Sequence, residues 1–122
     1  MALKDLDTFF DPDLYLPIRG KRYRVPAPDF EEAERLREVV TIEGVPPVEQ
    51  IAEAVKVLGP AFQDMVADNI PWPMILHSGR TAIIHFGFSP DMGEVHWHMA
   101  HLARLVDIDE VSTALANKHK MK

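Results

Sequence analysis

The sequence predicts a mainly α-helical fold with a small N-terminal β-hairpin: an α+β protein built as a compact bundle of about five short helices. Two patterns support this expectation. Apolar residues alternate with a period of two between residues 14 and 25, which indicates β-strands. From Asp29 onward they recur at intervals of three and four residues, which indicates amphipathic helices. Prolines and glycines separate the periodic segments by only a few residues, as expected within one domain.

Length and composition restrict the possible classes of protein. The chain has 122 residues, enough for one domain with its own core. We expect a lead-in and hairpin over 1–28, a helical bundle over 29–116 and a basic, flexible tail over 117–122. Cysteine is absent, which excludes disulfides and thiolate metal sites and suits a reducing cytoplasm. The formal net charge of −6 argues against nucleic-acid binding. No apolar leader or membrane-spanning run is visible, so we expect neither secretion nor membrane insertion.

The predicted hairpin covers Leu14–Val25. Gly20 lies between the two alternating runs and can adopt the positive φ that a tight reversal needs. Pro17 lacks a backbone N–H and is therefore expected on an edge strand. Because a lone hairpin is only marginally stable in water, we expect this one to pack on helices or to pair with another chain.

Four boundaries define the first three predicted helices. Asp29 and Glu32 form a capping-box pattern at the start of the first helix, and Gly44–Pro47 separates it from the second. Gly59–Pro60 ends the second helix, and Pro71–Trp72–Pro73 follows the third. The expected buried positions are Phe30, Ala33, Leu36 and Val40 in the first helix, Val48, Ile51, Ala52, Val55 and Leu58 in the second, and Phe62, Met65, Val66 and Ile70 in the third.

The remaining helices are expected to include the centre of the bundle. Met74 to Phe86 is apolar on most sides, which predicts the central helix. Ser89 and Pro90 read as the N-cap and first residue of the next helix. Asp107 and Glu110 suggest a last short helix that carries Ile108, Val111 and Leu115. The fifth helix has the cleanest apolar row of the sequence, which we expect to be buried: Met92, Val95, Met99, Leu102, Ala103 and Val106.

The histidines raise the question of a metal site. On a helical wheel His96, His98 and His101 point in different directions, whereas Glu94, His98 and His101 share one face. A carboxylate and two imidazoles could bind zinc, but this face is expected to be solvated and no fourth ligand is implied. We therefore expect no metal, no cofactor and no catalytic residues. No G-x-S-x-G, P-loop or dinucleotide motif is present either. A small histidine-based metalloenzyme is the least favoured alternative.

Three large apolar residues are candidates for partner binding. On the same wheel Trp97 and Leu105 lie away from the row expected to be buried, at about 140° and 220° from Met92. Trp72 stands between two prolines and is expected in a loop. Another helix could cover these side chains; otherwise, exposed residues of this size mark a surface for another protein.

Several segments of the sequence carry information when they are taken together. They are Leu16–Tyr23 (LPIRGKRY), Leu58–Met65, Ile70–Trp72, Gly79–Ala82, His85–Gly87 and Trp97. Together they resemble the tail assembly chaperones of siphophages that infect actinobacteria. The first segment is similar to the N-terminal hairpin motif of that family and the others to its middle part, so the resemblance covers the chain from Leu3 to about Trp97.

The resemblance implies a role without catalysis. Such chaperones bind the tape measure protein, help recruit tail tube subunits during tail assembly in the host cytoplasm, and are absent from the mature virion. The family usually makes a longer, frameshifted form as well, which would be a further partner, and a homo-oligomer is possible. The alternative is a structural virion component, such as a tail terminator or a head–tail connector protein.

Overall fold

The computed structural model describes residues 2–41 and 47–105. In these residues a short 3-10 helix (Leu6–Thr8) precedes two strands, β1 (Leu14–Ile18) and β2 (Lys21–Val25). Five helices follow, and the predicted fold class, mainly α with an N-terminal hairpin, is confirmed. They are α1 (Phe30–Thr41), α2 (Pro47–Leu58), α3 (Pro60–Ala67), α4 (Trp72–Gly87) and α5 (Pro90–Leu105).

The hairpin lies where the sequence predicts it, with Gly20 in its turn. Leu14 is opposite Val25, and Ile18 is opposite Lys21. The two turn residues, Arg19 and Gly20, have φ values of 54° and 82°. Positive φ at both central positions is the mark of the type I′ turn, whose twist matches that of the strands it joins.

The hairpin packs on the helices, which is one of the two arrangements expected for it. Alternate residues on one of its faces are buried with Leu58, Ala61 and Met65. Tyr23 Oη and Lys21 Nζ both donate to Asp68 Oδ2, at 2.6 and 2.7 Å, and so tie β2 to the end of α3. These two hydrogen bonds lower the pKa of the Asp68 carboxyl.

Helix α4 is the centre of the bundle, as predicted, because α1, α2 and α5 all pack against it. Small residues make these close approaches possible. A Cβ on Gly79 would lie 2.6 Å from Ala54 Cβ of α2, and one on Gly87 would lie 2.8 Å from the Leu36 carbonyl of α1. The backbone of α4 therefore touches its neighbours directly, which a bulkier residue at either glycine would prevent.

Helix boundaries agree with the sequence patterns at the N-caps. Asp29 Oδ1 accepts from the Glu32 N–H at 2.9 Å, and Ser89 Oγ accepts from the Met92 N–H at 3.1 Å. Two ends differ from expectation. Helix α3 stops at Ala67, because Asn69 has a φ of 56°, although the buried Ile70 follows. Trp72, expected in a loop, is the first residue of α4, since the prolines on either side suit a helix start.

The prediction of buried apolar rows was partly wrong. Phe30 is 79% exposed because it begins α1, at the edge of the bundle. In α2, Ala54 is buried whereas the predicted Ala52 is exposed, and Val66 of α3 is exposed as well. The predicted short helix over 107–115 and the basic tail over 117–122 lie outside the described residues. No helix of the described part is long and apolar enough to cross a membrane.

Candidate protein-interaction surface

A row of exposed apolar side chains lies on α5. Met92, Val95 and Met99, which we call the α5 stripe, are 44%, 51% and 48% exposed. Their spacing of three and four residues places them on one side of the helix. This outcome corrects the prediction of burial for these three residues, whereas the side chains of Leu102, Ala103 and Val106, the rest of the predicted row, lie outside the described residues. Three large apolar side chains in line on one helix face are typical of a surface that another protein covers.

Gly93 explains why α5 presents this side to solvent. A Cβ on Gly93 would lie 2.9 Å from His85 Cβ and 3.0 Å from His85 Cα. The backbones of α4 and α5 thus approach each other at this point more closely than a side chain would allow. With Gly93 facing α4, residues three and four positions later, His96 and Trp97, face α4 as well. The α5 stripe is left on the outer side.

Polar contacts between α4 and α5 stabilise the same orientation of α5. His77 Nε2 donates to the Trp97 carbonyl oxygen at 3.0 Å, and Thr81 Oγ1 shares a hydrogen bond of 2.7 Å with His96 Nδ1. The rings of His77 and His96 stack at 4.5 Å between centroids. Because Thr81 is buried, its hydroxyl needs a hydrogen-bond partner. A rotation of α5 about its axis would move His96 away and leave this hydroxyl without that partner.

The environment of His96 keeps its ring neutral. Burial, with His77 and Arg80 nearby, lowers the pKa of His96 to about 4. Burial also lowers the pKa of His85, which lies against Gly93. A charged imidazole in this position would lose solvation and meet a second ring and a guanidinium. His96 and His85 therefore act as neutral packing groups between α4 and α5 near pH 7, and His96 also shares a hydrogen bond with Thr81.

The histidine face suggested by the sequence, Glu94, His98 and His101, is described only in part. Glu94 and His98 are exposed, and the side chain of His101 lies outside the described residues. Among those residues, no group of three histidine, aspartate or glutamate side chains could hold a metal ion.

The structure describes the side chains of two of the three residues predicted to bind a partner. Trp97 is half-buried and packs against the core cluster around the hairpin, so the prediction that it points away from the core was wrong. On the helical wheel, the angle of Trp97 was measured from Met92, on the assumption that the side with Met92 is buried. In the structure that side is exposed. Trp72 is 44% exposed, at the start of α4. The side chain of Leu105 lies outside the described residues.

Trp97 also lines a groove between the hairpin and the last two helices. The groove has a volume of about 280 Å³ and is bordered by Tyr15 and Pro17 of β1 and by His85 of α4. It lies beside Glu94, so it adjoins the acidic side of α5. Its walls are mostly apolar side chains, which would suit a side chain of a bound protein better than a charged small molecule.

Sequence reasoning missed the α5 stripe as a surface because an apolar row is equally consistent with burial in the core. One signal was available: Gly93, His96 and Trp97 also share a side of the helix. A glycine within that set permits close helix packing, whereas Met92, Val95 and Met99 include no glycine or alanine.

These features define a small α+β protein with an exposed apolar helix face. The chain belongs to the family described as a domain of unknown function, DUF7426, whose model matches residues 4–118. Comparison with curated proteins and with solved structures found no match.

Proposed function

We propose that this protein is a non-enzymatic phage tail assembly chaperone that binds the tape measure protein. The α5 stripe is the observation that carries the proposal, because it offers Met92, Val95 and Met99 to a partner. The resemblance of residues 3–97 to tail assembly chaperones supplies the client. In this proposal the protein also helps to recruit tail tube subunits, acts in the host cytoplasm and leaves before the virion is complete.

The chemistry of the stripe suits a helical client. Apolar positions at i, i+3 and i+7 can interlock with the same spacing on an amphipathic helix laid along α5. Two of the three residues are methionines, whose flexible, polarisable side chains adapt to different apolar neighbours. A long helical client presents many similar but non-identical segments, so adaptable contacts are useful for it.

Co-expression with the tape measure protein tests the proposal. Wild-type protein should raise the soluble yield of the client and be recovered with it by pull-down. The double variant Val95→Gln, Met99→Gln should lose most of this effect. A matched control is Val66→Gln, Met74→Gln, because Val66 and Met74 are 51% and 45% exposed and lie outside α5. The proposal fails if the wild-type protein leaves the client insoluble, and the α5 stripe is the wrong surface if both doubles behave alike.

Mass spectrometry of purified virions separates the chaperone from its main alternative. A tail terminator or head–tail connector protein would be present in the finished particle, whereas an assembly chaperone should be absent. A longer, frameshifted form of the chain would be sought by the same method in infected cells, where both forms are expected during tail assembly.

A further inference from the structure

A second row of side chains runs parallel to the α5 stripe. Asp91, Glu94 and His98 are exposed, and each directly precedes a stripe residue in the sequence. Since successive helix residues are rotated by about 100°, this row borders the stripe along one side. We call Asp91 and Glu94 the acidic border.

The opposite side of the stripe differs in chemistry. Gly93, which follows Met92, is buried, and His96, which follows Val95, is half-buried and neutral. This side of the stripe meets the body of the protein at Gly93 and His96, and Ala100, which follows Met99, is exposed but uncharged. The surface is thus asymmetric: apolar along its middle, acidic on one border and without an acidic group of α5 on the other.

From this asymmetry we infer the chemistry of the partner: an amphipathic helix whose apolar face is bordered on one side by lysine or arginine. The inference rests on the proposed function, because it describes the client segment that the α5 stripe binds. Complementary charges on the border would pair with Asp91 and Glu94 and fix how the client helix lies against α5. A client with glutamates at those positions would be repelled.

A second copy of this protein fits the surface less well. It would bring its own acidic border to an interface in a chain whose net charge is already −6. Like charges brought together at a contact weaken it. An unrelated basic helix has the opposite charge and meets no such repulsion.

Designed peptides test the inference on the full-length protein. Three fluorescein-labelled 21-residue helical peptides would share one leucine face and carry lysines on one border, glutamates on that border, or lysines on both borders. Fluorescence anisotropy would give Kd at 20 and 200 mM NaCl. We expect the one-border lysine peptide to bind about tenfold more tightly than the glutamate peptide at low salt, with a smaller ratio at high salt. Lysines on the second border should change Kd by less than about twofold, because α5 itself carries no carboxylate on that border.

Variants distinguish a local effect from the net charge of the protein. Asp91→Asn with Glu94→Gln should remove most of the preference for lysine. Glu31→Gln with Glu34→Gln makes the same change in net charge at exposed positions on α1 and should leave the preference intact. Equal effects of the two double variants, or equal binding of the lysine and glutamate peptides, would overturn the inference.

The peptide experiment tests the inference, and the co-expression experiment tests the proposed function, so the two can be refuted separately. If the lysine and glutamate peptides bind alike while the tape measure protein is solubilised, the inference is wrong and the proposed function stands. If the peptides behave as expected while the client stays insoluble, the proposed function is wrong. Sedimentation that shows a dimer, dissociated by Val95→Gln with Met99→Gln, would assign the stripe to a second copy and overturn the inference.

Discussion

Replacing Gly93 with alanine tests the reason why α5 turns its apolar stripe outward. The new Cβ would lie 2.9 Å from His85 Cβ, 3.0 Å from His85 Cα and 3.2 Å from its nitrogen. Carbon atoms in ordinary contact are about 3.5–4.0 Å apart, so α5 would have to move away from α4 by about 0.6–1 Å. Two of the three atoms belong to the His85 backbone and cannot move aside by a change of rotamer.

Two effects of opposite sign set the expected magnitude. Overpacking of this kind costs about 1–3 kcal/mol, and here the upper half applies because backbone atoms are in the way. Alanine gains about 1 kcal/mol over glycine in a helix interior. The free energy of unfolding should therefore fall by about 1–2 kcal/mol, equivalent to a decrease in Tm of about 4–10 °C in a chain of this length.

Urea unfolding followed by tryptophan fluorescence measures this change, since Trp97 is half-buried beside the affected contact. Ala100→Gly, at an exposed position of the same helix, is the control for helix propensity alone. It should destabilise the protein by about 1 kcal/mol. If Gly93→Ala instead stabilises the protein by a similar amount, propensity dominates and the close approach of α4 and α5 does not determine the orientation of α5.

Three further predictions concern the turn, the buried histidine and the exposed histidine face. Gly20→Val should lower the free energy of unfolding by about 1–2 kcal/mol in urea titrations, because Gly20 has a φ of 82° while open space surrounds it; an unchanged midpoint would contradict this. His96 has a pKa of about 4 in the folded protein and about 6.5 when unfolded, so stability should fall as the pH drops below 6.5 and level off below 4. Screening at this half-buried site reduces the full effect to about 1–2 kcal/mol, and His96→Gln should lose this dependence between pH 6.5 and 5 in thermal melts. EDTA should leave Tm unchanged, and His98→Ala should shift stability by no more than about 0.5 kcal/mol; a large EDTA-induced drop with stoichiometric bound metal would reopen the metalloenzyme hypothesis.

Local sequence patterns were sufficient to predict the hairpin and two of the helix starts. The alternation of Leu14, Leu16 and Ile18 and the turn at Gly20 predicted the hairpin. Asp29 and Ser89 predicted two helix starts, because a side chain that caps an N–H acts within three residues of its own position. Such signals depend on neighbours in the sequence, and they are therefore visible without the tertiary structure.

The candidate site could be predicted only in part. The sequence indicated a partner surface, but the helical wheel placed Trp97 on that surface and Val95 in the core. In the structure Trp97 packs against the core and Val95 is exposed. Helical periodicity identifies apolar positions that lie together. Helix α5, however, has two sides able to pack against a neighbour, the α5 stripe and the side with Gly93, His96 and Trp97. Which of the two sides packs against α4 depends on which one fits the space that α4 leaves.

The fold class, the hairpin and two helix starts were therefore predictable from local sequence, since these follow from short-range hydrogen bonding and periodicity. The side of α5 that faces solvent depends instead on contacts between helices. The close contact of Gly93 with His85 and the hydrogen bond between Thr81 and His96 require that orientation. Both join residues from different helices, and close packing between helices depends on the shape of two surfaces that no single segment of sequence describes.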